Sequence, residues 1–308
     1  MSGDSAVGHV EQIAVPPDLL DLIRTRNTFH IISHVEPDGD CVATSLALRA
    51  FLRRIGKQAS CYNPGPFDRR EIRDFEHEFQ QQLANREYGP DEAAIVVDCS
   101  SEDRIGPIAE QLSNLTIAVV DHHIAGEVFG DIRYVDPTLP SASLLVQRII
   151  EEAGETPSEE EARHIFFGFI TDTGFFRFLD AGTGDVFSLV SRLVDAGASP
   201  RDQYLKLNGG RPLASRLLIG RLLERLEDHF DGRLLLVIER KEDTERAGRK
   251  NRDTDAFYRL LLATEGVEVV ALIREESKSS CTGSLRSRDT VDVSAVAHSL
   301  GGGGHRRA

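Results

Sequence analysis

Short runs of aliphatic residues alternate with helix-length segments in the chain up to about residue 180. The aliphatic runs are rich in Ile and Val, are bounded by polar loops, and lie at 29–33, 93–97 and 117–120. Such runs are typical of parallel strands that are covered on both faces. Helix-length segments lie at 42–55, 141–153, 159–171 and 185–196. The alternation predicts an α/β fold with a doubly wound, mainly parallel sheet.

Two of the predicted helices begin with capping signals. Ser141 precedes one of them, and Ser158 precedes another with Glu161 three residues later. A serine followed at that spacing by a glutamate is the pattern of a reciprocal capping box. We therefore expect helix starts at both serines.

Further along, the pattern loosens into a Gly- and Pro-bearing stretch at 197–212, GASPRDQYLKLNGGRP. It predicts a linker between a larger domain at 1–196 and a smaller α/β domain at 213–308, with a cleft between the two. The elements expected in the second domain are a helix at 213–229, a strand at 234–239, a helix at 254–264, and strands at 267–274 and 281–285. The segment 240–252 mixes both signs of charge and predicts a solvated loop.

A net charge of −14 over 308 residues restricts the class of ligand. Proteins that coat long nucleic acids rely on many Lys and Arg contacts to phosphate, so an acidic chain argues against that class. A small anionic ligand stays compatible, because bound cations reverse the local charge of a pocket.

Several features predict a cytoplasmic protein without a membrane segment. No stretch approaches the roughly 20 apolar residues that span a bilayer. The first residues, MSGDSAVGHVEQ, have neither the basic start nor the apolar core of a secretory signal. Cys41, Cys61, Cys99 and Cys281 lie far apart, so we expect reduced thiols rather than a disulfide framework or a zinc site.

Potential metal ligands stand where each predicted strand of the first domain ends, and where helix 159–171 ends. They are His34, Asp38 and Asp40 after the first strand, Asp98 after the second, Asp121, His122 and His123 after the third, and Asp172 after the helix. The carboxyl ends of parallel strands meet at one edge of a sheet, so these segments are expected to converge on one crevice. Each residue alone has an ordinary alternative as a helix cap, a turn residue, or a core or surface histidine. The joint pattern favours a single site.

The residue types in this set point to hard divalent metals. Carboxylates mixed with neutral imidazoles suit Mn²⁺ or Mg²⁺ better than ions that prefer thiolates. The set is too large for one ion. Two ions roughly 3.5–4 Å apart that share a carboxylate can activate a water and stabilise an in-line displacement at phosphorus. We therefore expect two ions, with Mn²⁺ as the first choice and Mg²⁺ as the alternative.

Four segments of the first domain resemble the motifs of the DHH phosphoesterases. They are HVEPDGD at 34–40, VVDCSSEDRIG at 96–106, VVDHH at 119–123 and GFITDTGFFRF at 168–178. The C-terminal SLRSRDTVDVSAVAHSLGGGGH at 284–305 resembles the DHHA1 substrate-binding domain. The chain is more similar to the compact NrnA-type nanoRNase and pAp-phosphatase group than to the larger RecJ exonucleases. It departs from the family at its end, because the family pattern continues with another small-residue segment where this sequence stops at Ala308.

The resemblance divides the expected ligands between two ions. It implies one ion held by His34, Asp38 and Asp98, and another held by Asp40, Asp98, His122 and Asp172. Asp98 is then the shared carboxylate of the catalytic centre. Asp121 is implied to lie behind the ligands and to orient an imidazole. His123 is implied to be catalytic, facing the substrate to stabilise phosphoryl oxygens or to protonate the leaving group.

Contacts to substrate are expected mainly from the second domain. The candidates there are Ser284, Arg286 and Ser287, then Gly302, Gly303, Gly304 and His305. A guanidinium with hydroxyls suits a terminal phosphate, and glycine amides can cradle an anion, although a plain C-terminal tail is the alternative. Arg104 and Arg177 are further phosphate candidates, with structural ion pairs as the alternative. The phenylalanines between 166 and 178 are expected to pack in the core rather than to stack on a base.

The resemblance implies metal-dependent hydrolysis of oligoribonucleotides of about two to five nucleotides to 5′-mononucleotides, and of 3′-phosphoadenosine 5′-phosphate (pAp) to AMP. One alternative is a phosphodiesterase for linear or cyclic dinucleotides. Another is a nucleotide-binding regulatory module without turnover, against which the intact ligand set argues. The expected partner is a short oligonucleotide or a nucleotide bisphosphate, not a long nucleic acid or a membrane, and a homodimer is left open.

Overall fold

The chain divides into two units, Met1–Gly209 and Gly210–Ala308. The structure is a computed structural model that describes residues 13–99, 101–123, 128–288 and 290–303. The boundary falls within the stretch 197–212, where the sequence predicts a linker. Each unit has its own sheet and its own apolar core.

In the part of the chain that the structure describes, a six-stranded parallel sheet forms the centre of the first unit. Its strands are β1 (Thr28–Ser33), β2 (Gln58–Tyr62), β3 (Phe79–Gln80), β4 (Glu92–Val97), β5 (Thr116–Asp121) and β6 (Ile132–Val135). They lie in the order β3-β2-β1-β4-β5-β6, with every neighbouring pair parallel. The order reverses between β1 and β4, and ligands of such sheets bind outside the carboxyl ends of the strands at that point. The prediction of a doubly wound parallel sheet is confirmed.

The aliphatic runs are continuous because both faces of this sheet are covered. Ile31 and Ile95 pack into one apolar cluster, whereas Ile32 and Val96 pack into another. Successive residues of a strand point to opposite faces, so a strand covered on both sides needs apolar residues throughout. The sequence did not predict β2, β3 and β6, because QASCY, FQ and IRYV contain no long aliphatic run.

α-Helices accompany the sheet of the first unit. Those described are α1 (Pro17–Thr25), α2 (Gly39–Arg54), α3 (Ala142–Glu152), α4 (Glu159–Asp172), α5 (Gly184–Asp195) and α6 (Pro200–Asn208). The sequence predicted α2 to α5, and the capping box of Ser158 and Glu161 at the start of α4 is confirmed. The stretch 197–212, in which the sequence predicts a linker, contains α6. Ser199 caps α6 by accepting a hydrogen bond from the Asp202 amide at 3.2 Å, and Pro200 suits its first turn.

Two glycines allow close contact among α2, α3 and α4. A Cβ at Gly39 would lie 2.4 Å from Thr171 Oγ1, and a Cβ at Gly168 would lie 2.5 Å from Asp40 Oδ1. The same Cβ at Gly168 would lie 2.6 Å from Ser143 Oγ. These separations are shorter than any real side chain tolerates, so glycine is required at both positions. The start of α2, the start of α3 and the body of α4 therefore meet at one point.

The second unit contains a mixed sheet in the order β10-β9-β8-β7, in which β8 and β9 are parallel and the outer pairs are antiparallel. Its elements are α7 (Leu213–Glu224), β7 (Glu227–His229), β8 (Leu234–Glu239), α8 (Lys241–Ala247), α9 (Thr254–Leu262), β9 (Val269–Ser277), β10 (Ser280–Ser287) and α10 (Val293–Ser299). The prediction of a smaller α/β unit is confirmed. Among the described helices of the whole chain, none has the length and apolar character needed to cross a membrane.

Two expectations for the second unit are wrong. The helix expected at 213–229 ends at Glu224, and the chain then forms β7. The segment 240–252 is not a solvated loop, since it contains α8 and a 3₁₀ turn at Arg249–Asn251. One charged residue of this segment, Arg252, is held by the buried carboxylate of Glu239. That carboxylate accepts hydrogen bonds from Arg252 at 2.6 Å and from Arg274 at 2.8 Å.

Candidate metal centre

The loop between β1 and α2 carries His34 and Asp38, whose side chains face each other. His34 Nδ1 lies 2.8 Å from the Val35 carbonyl oxygen, so Nδ1 donates and Nε2 is left as the acceptor. Asp38 caps α2, where its Oδ1 accepts a hydrogen bond from the Cys41 amide at 3.0 Å. Its Oδ2 lies 3.9 Å from His34 Nε2. Each side chain thus has one atom fixed by the backbone and a second atom that faces the other side chain.

Asp98 lies between two histidines at the carboxyl end of β4. The residue is buried and has a φ of 53°, in the left-handed region that an aspartate tolerates better than most residues. Its Oδ2 lies 3.7 Å from His34 Nε2, and its Oδ1 lies 3.6 Å from His122 Nε2. The two oxygens of one carboxylate therefore face two different imidazoles, which is the arrangement expected of a carboxylate shared by two cations.

Asp40 joins the start of α2 to the start of α3. Its Oδ2 accepts a hydrogen bond from the Ala142 amide at 2.6 Å, and its Oδ1 accepts one from the Ser143 amide at 3.2 Å. The positive N-terminal end of α3 therefore stabilises this buried carboxylate. Ser141 occupies the N-cap position of α3 but makes no capping hydrogen bond, contrary to the sequence expectation. Its hydroxyl instead lies 3.0 Å from Ser143 Oγ.

Asp121 gives the two adjacent histidines different surroundings. Its Oδ1 accepts hydrogen bonds from the amides of His122 and His123 at 2.8 and 3.2 Å, and from His123 Nδ1 at 2.8 Å. The His123 side chain is 44% exposed, and its Nε2 is left for another partner. His122 is more buried, with its Nε2 lying 3.4 Å from Asp172 Oδ2.

Ligand atoms within three groups of the described residues lie within 4.8 Å of one another. The groups are Asp98 with Asp121, His122 and His123; His34 with Cys41 and Asp98; and Asp40 with His122 and Asp172. Asp98 and His122 each belong to two groups, so the predicted ligands other than Asp38 form one continuous cluster at the carboxyl ends of β1, β4 and β5. Asp38 belongs to none of the three groups, and its Oδ2 lies 3.9 Å from His34 Nε2. The sequence predicted this convergence from the strand ends alone.

Burial and neighbouring charges shift the pKa values of three side chains in the cluster. Burial lowers the pKa of His34, but hydrogen bonding to Asp98 and Cys41 outweighs that effect and raises it to about 12. Burial also lowers the pKa of His122, yet Asp98 and the neighbouring carboxylates raise it to about 9. Burial raises the pKa of Asp172 to about 6, with His122 opposing the shift and Asp98 reinforcing it. All three groups therefore hold a proton more tightly than usual, because the positive charge of a proton offsets that of the carboxylates buried beside them. Divalent cations would supply that positive charge directly.

Orphaned polar atoms give a second indication that the cluster suits a metal. Asp98 Oδ1 and His122 Nε2 are both buried and have no hydrogen-bond partner among the described residues. Such atoms cost free energy unless something satisfies them. A cation between them would satisfy both, and the donors are the hard oxygens and imidazole nitrogens that Mn²⁺ and Mg²⁺ accept. The residues present therefore fit a divalent metal.

Two residues near the cluster had no clear signal in the sequence. Cys41 Sγ lies 3.9 Å from the His34 carbonyl oxygen, and burial raises the pKa of its thiol. The exposed Arg69 has its Nη1 3.7 Å from Asp38 Oδ2. Nothing in DRREIR distinguishes Arg69 from the arginines beside it.

Comparison with known proteins connects this cluster to one family. The sequence pattern of the DHH family, N-terminal domain, matches residues 28–169, and that of the DHHA1 domain matches residues 235–308. The bifunctional oligoribonuclease and PAP phosphatase NrnA of Thermus thermophilus is 30% identical over 276 residues, which cover 90% of this chain and 81% of that protein. The chain belongs to the DHH–DHHA1 phosphoesterase family.

Two further relatives of this DHH–DHHA1 chain bear on its fold and function. The cyclic-di-AMP phosphodiesterase PdeA of Listeria monocytogenes is 25% identical, and the match covers 93% of this chain but 45% of that protein. The crystal structure of an exopolyphosphatase-related protein from Bacteroides fragilis has a TM-score of 0.76 and 24% identity, covering 94% of this chain and 88% of that one. The structural likeness shows that the two chains share a fold.

Two substrate candidates lie in the DHH unit. Arg104 is exposed, and its carbonyl oxygen accepts a hydrogen bond from the Val35 amide at 2.8 Å, which fixes its backbone next to His34. Arg177 is also exposed, and its guanidinium carbon lies 4.6 Å from the centre of the Phe178 ring. Both arginines are therefore on segments adjoining the ligand-bearing loops.

Three of the other substrate candidates lie on strand β10 of the DHHA1 unit, but not all on the same face. Ser284 and Arg286 lie on one face of β10 with Tyr258, whose hydroxyl donates to the Ser284 carbonyl oxygen at 2.7 Å and whose ring lies 5.3 Å from the Arg286 guanidinium carbon. Ser287 follows Arg286 on the strand and so points to the opposite face, with its hydroxyl buried and unpartnered among the described residues. Ser284 and Ser287 therefore present their side chains on different faces of β10.

The glycine run of the DHHA1 unit is described only in part. The Gly302 amide donates to the Ala297 carbonyl oxygen at 2.8 Å, so it terminates α10 instead of offering a free donor to an anion. Gly303 is exposed. Gly304 and His305 lie outside the described residues.

Proposed function

We propose that the protein hydrolyses short oligoribonucleotides to 5′-mononucleotides and pAp to AMP. Both reactions break the bond between phosphorus and a nucleoside 3′-oxygen, in a diester in one case and in a terminal monoester in the other. The observation that carries the proposal is the position of Asp98, whose two oxygens lie 3.7 and 3.6 Å from His34 and His122. The 30% identity to the Thermus oligoribonuclease and PAP phosphatase supports the choice of substrate.

The proposed cofactor is a pair of Mn²⁺ ions, with Mg²⁺ as the alternative. One ion would be held by His34, Asp38 and Asp98, and the other by Asp40, Asp98, His122 and Asp172. Such a pair supplies the Lewis acidity that activates a water and stabilises the attacking and leaving oxygens. The fixed tautomer of His34 and the orphaned atoms of Asp98 and His122 support this assignment.

We propose that His123 acts on the substrate, where it stabilises phosphoryl oxygens or protonates the leaving 3′-oxygen. Its bond to Asp121 fixes the Nδ1 proton and directs Nε2 away from the buried ligands. The same bond raises the pKa of His123, which favours the protonated imidazole. A protonated Nε2 can donate a hydrogen bond to a phosphoryl oxygen or pass a proton to the leaving group.

The second unit is proposed to bind the nucleotide. Arg286 supports this role best, because its half-buried guanidinium is held over Tyr258 while keeping the planar fork that suits a phosphate. Ser284 lies on the same face, whereas Ser287 and Gly302–Gly304 rest on the family resemblance, as does His305. Arg104 and Arg177 are proposed to contact phosphates from the first unit.

A second candidate is hydrolysis of linear or cyclic dinucleotides, which the match to the Listeria cyclic-di-AMP phosphodiesterase favours. The chemistry is the same, and only the fit of the substrate differs. A non-catalytic regulatory module is disfavoured, because such a module has no need for a full set of hard ligands.

The proposed location is the cytoplasm. Cys41, Cys61, Cys99 and Cys281 are all free thiols, and the first three are buried. Free cysteines suit a reducing compartment, because an oxidising one promotes disulfide formation. A short oligonucleotide or a nucleotide bisphosphate is the proposed partner in that compartment.

A panel of substrates tests the proposed function. The protein is supplied with Mn²⁺ and given pAp, a dinucleotide, a five-nucleotide strand, a twenty-four-nucleotide strand and a cyclic dinucleotide, with Asp98→Asn as the inactive control. We expect AMP from pAp and a much higher kcat/KM for the dinucleotide than for the longest strand. Equal cleavage of the longest strand would contradict the proposal. A clear preference for the cyclic dinucleotide would support the second candidate instead.

A further inference from the structure

One aromatic side chain of the first unit is exposed close to the metal centre. Phe178 follows Asp172 in the segment TDTGFFRF, and it is 65% exposed. The sequence predicted that the phenylalanines of this region pack in the core. Phe166, Phe167 and Phe169 do so, whereas Phe178 does not.

The loop that carries Phe178 has an unusual backbone. Gly174, Phe175 and Phe176 all have left-handed conformations, with φ of 56°, 59° and 74°. Such conformations are costly for phenylalanine and persist only where the surroundings hold them. The Phe175 amide donates to the Ile170 carbonyl oxygen at 2.7 Å, and the Phe178 amide donates to the Thr173 carbonyl oxygen at 3.1 Å. Phe178 is thereby tied to the residue that follows Asp172.

The three rings of this loop have different surroundings. Phe175 packs edge-on against Tyr204 with ring centres 5.3 Å apart, and Phe176 packs against Phe169 at 5.5 Å. Both are partly buried against the apolar core. Phe178 is the exposed ring of the three, so core packing does not account for it.

The position of the Phe178 ring is nevertheless defined. A Cβ at Gly174 would lie 2.6 Å from Phe178 Cε2, so the ring rests directly on the glycine backbone. In addition, the Arg177 guanidinium carbon lies 4.6 Å from the ring centre, within the range of a cation–π contact. An exposed ring that is held in place by its neighbours is suited to receive a flat ligand.

We propose that Phe178, with Arg177 stacked on it, is a platform that stacks on a nucleobase of the substrate and positions it beside the metal centre. This inference rests on the proposed function and specifies how the same site recognises a nucleoside. Every base has a π face, so stacking on a phenyl ring tolerates any sequence. The platform therefore accepts any base and supplies binding energy without base readout.

The test compares ligands with and without a base. Binding of a non-hydrolysable dinucleotide and of its abasic analogue is measured by calorimetry with Mn²⁺ present, for the wild type and for Phe178→Ala, Phe178→Leu and Phe178→Tyr. Loss of one base–aromatic stack should weaken binding of the base-bearing ligand by roughly 5- to 100-fold in the Ala and Leu variants. The Tyr variant should retain wild-type affinity, and in the Ala and Leu variants the abasic analogue should lose much less affinity than the base-bearing ligand.

Three results would overturn the platform. The first is an Ala variant with wild-type affinity for the base-bearing ligand, and the second is equal weakening of both ligands, which would mean that Phe178 supports the phosphate contacts or the loop and makes no contact with the base. The third is a wild type that binds neither ligand and hydrolyses no dinucleotide, which would remove the proposed function as well. Normal hydrolysis by the wild type together with either of the first two results removes the platform alone.

Discussion

At the scale of single residues, Asp121 explains why two adjacent histidines have different chemistry. Three N–H groups of His122 and His123 converge on its Oδ1, and one of them is His123 Nδ1. His122 Nε2 has no such partner and lies 3.6 Å from Asp98 Oδ1. The first histidine is therefore suited to a metal, and the second to the substrate.

Alanine variants separate these roles. His122→Ala removes a ligand and should lose Mn²⁺ occupancy as well as turnover. His123→Ala should keep the same Mn²⁺ content and lose turnover by roughly 10²–10⁴-fold, the usual contribution of a general acid. Metal content by elemental analysis and kcat on a dinucleotide check both. Loss of metal from the His123 variant alone would reverse the assignment.

The pH dependence tests the Asp121–His123 bond. The bond raises the pKa of His123, and the proposed active form is the protonated imidazole, so activity should persist below that raised pKa and fall as pH rises through it. Asp121→Asn weakens the cause of the shift and should move the alkaline limb of the kcat profile to lower pH. A His123→Gln variant is the control, since it should lack this limb. An unmoved limb in the Asn variant would show that another group controls it.

At the scale of helices and strands, the centre depends on the junction of α2, α3 and α4. Asp40 belongs to α2, accepts hydrogen bonds from the first amides of α3, and lies against Gly168 of α4. A change on α4 that never touches a metal should therefore alter the site through Asp40.

Gly168→Ala tests this junction. The added Cβ would lie 2.5 Å from Asp40 Oδ1 and should displace the carboxylate, so Mn²⁺ affinity and turnover should both fall by at least an order of magnitude. Gly220→Ala is the matched control, because Gly220 lies within α7 and its Cβ would meet nothing within 4 Å. That variant should keep full activity and gain about 0.5–1 kcal/mol of stability from helix propensity. A Gly168 variant with normal Mn²⁺ affinity would contradict this account of the junction.

The same elements show what the sequence could and could not predict. Strands β1, β4 and β5 were predictable, because each contains a short apolar run and leads into candidate site residues. Their common edge followed from the behaviour of parallel sheets. The capping of α3 by Asp40 was not predictable, since residues 40 and 142 meet only in the folded chain. The exposure of Phe178 was not predictable either, because the nearby buried residues are phenylalanines too.

At the scale of the whole molecule, we propose that the first unit supplies the chemistry and that the second unit adds contacts to the substrate. The metal ligands all come from the first unit, whereas Arg286 comes from the second. A charge-assisted contact from Arg286 to a phosphate is worth about 1.5–3 kcal/mol, and lysine does not reproduce its planar fork.

Arg286→Ala should therefore raise KM for pAp and dinucleotides while the protein still binds Mn²⁺ at the wild-type stoichiometry. Steady-state kinetics and metal analysis measure the two effects, and Arg286→Lys should recover only part of the loss. Asp98→Ala should lose both metal and turnover. Normal kinetics in the Arg286 variant would remove this residue from substrate binding.

The most direct measurement is anomalous diffraction at the manganese edge, on crystals of the protein grown with Mn²⁺. We expect two peaks about 3.5–4 Å apart, one on each side of the Asp98 carboxylate. One peak should contact His34 and Asp38, and the other Asp40, His122 and Asp172. A single peak, or two peaks without Asp98 between them, would contradict a catalytic centre built on a shared carboxylate.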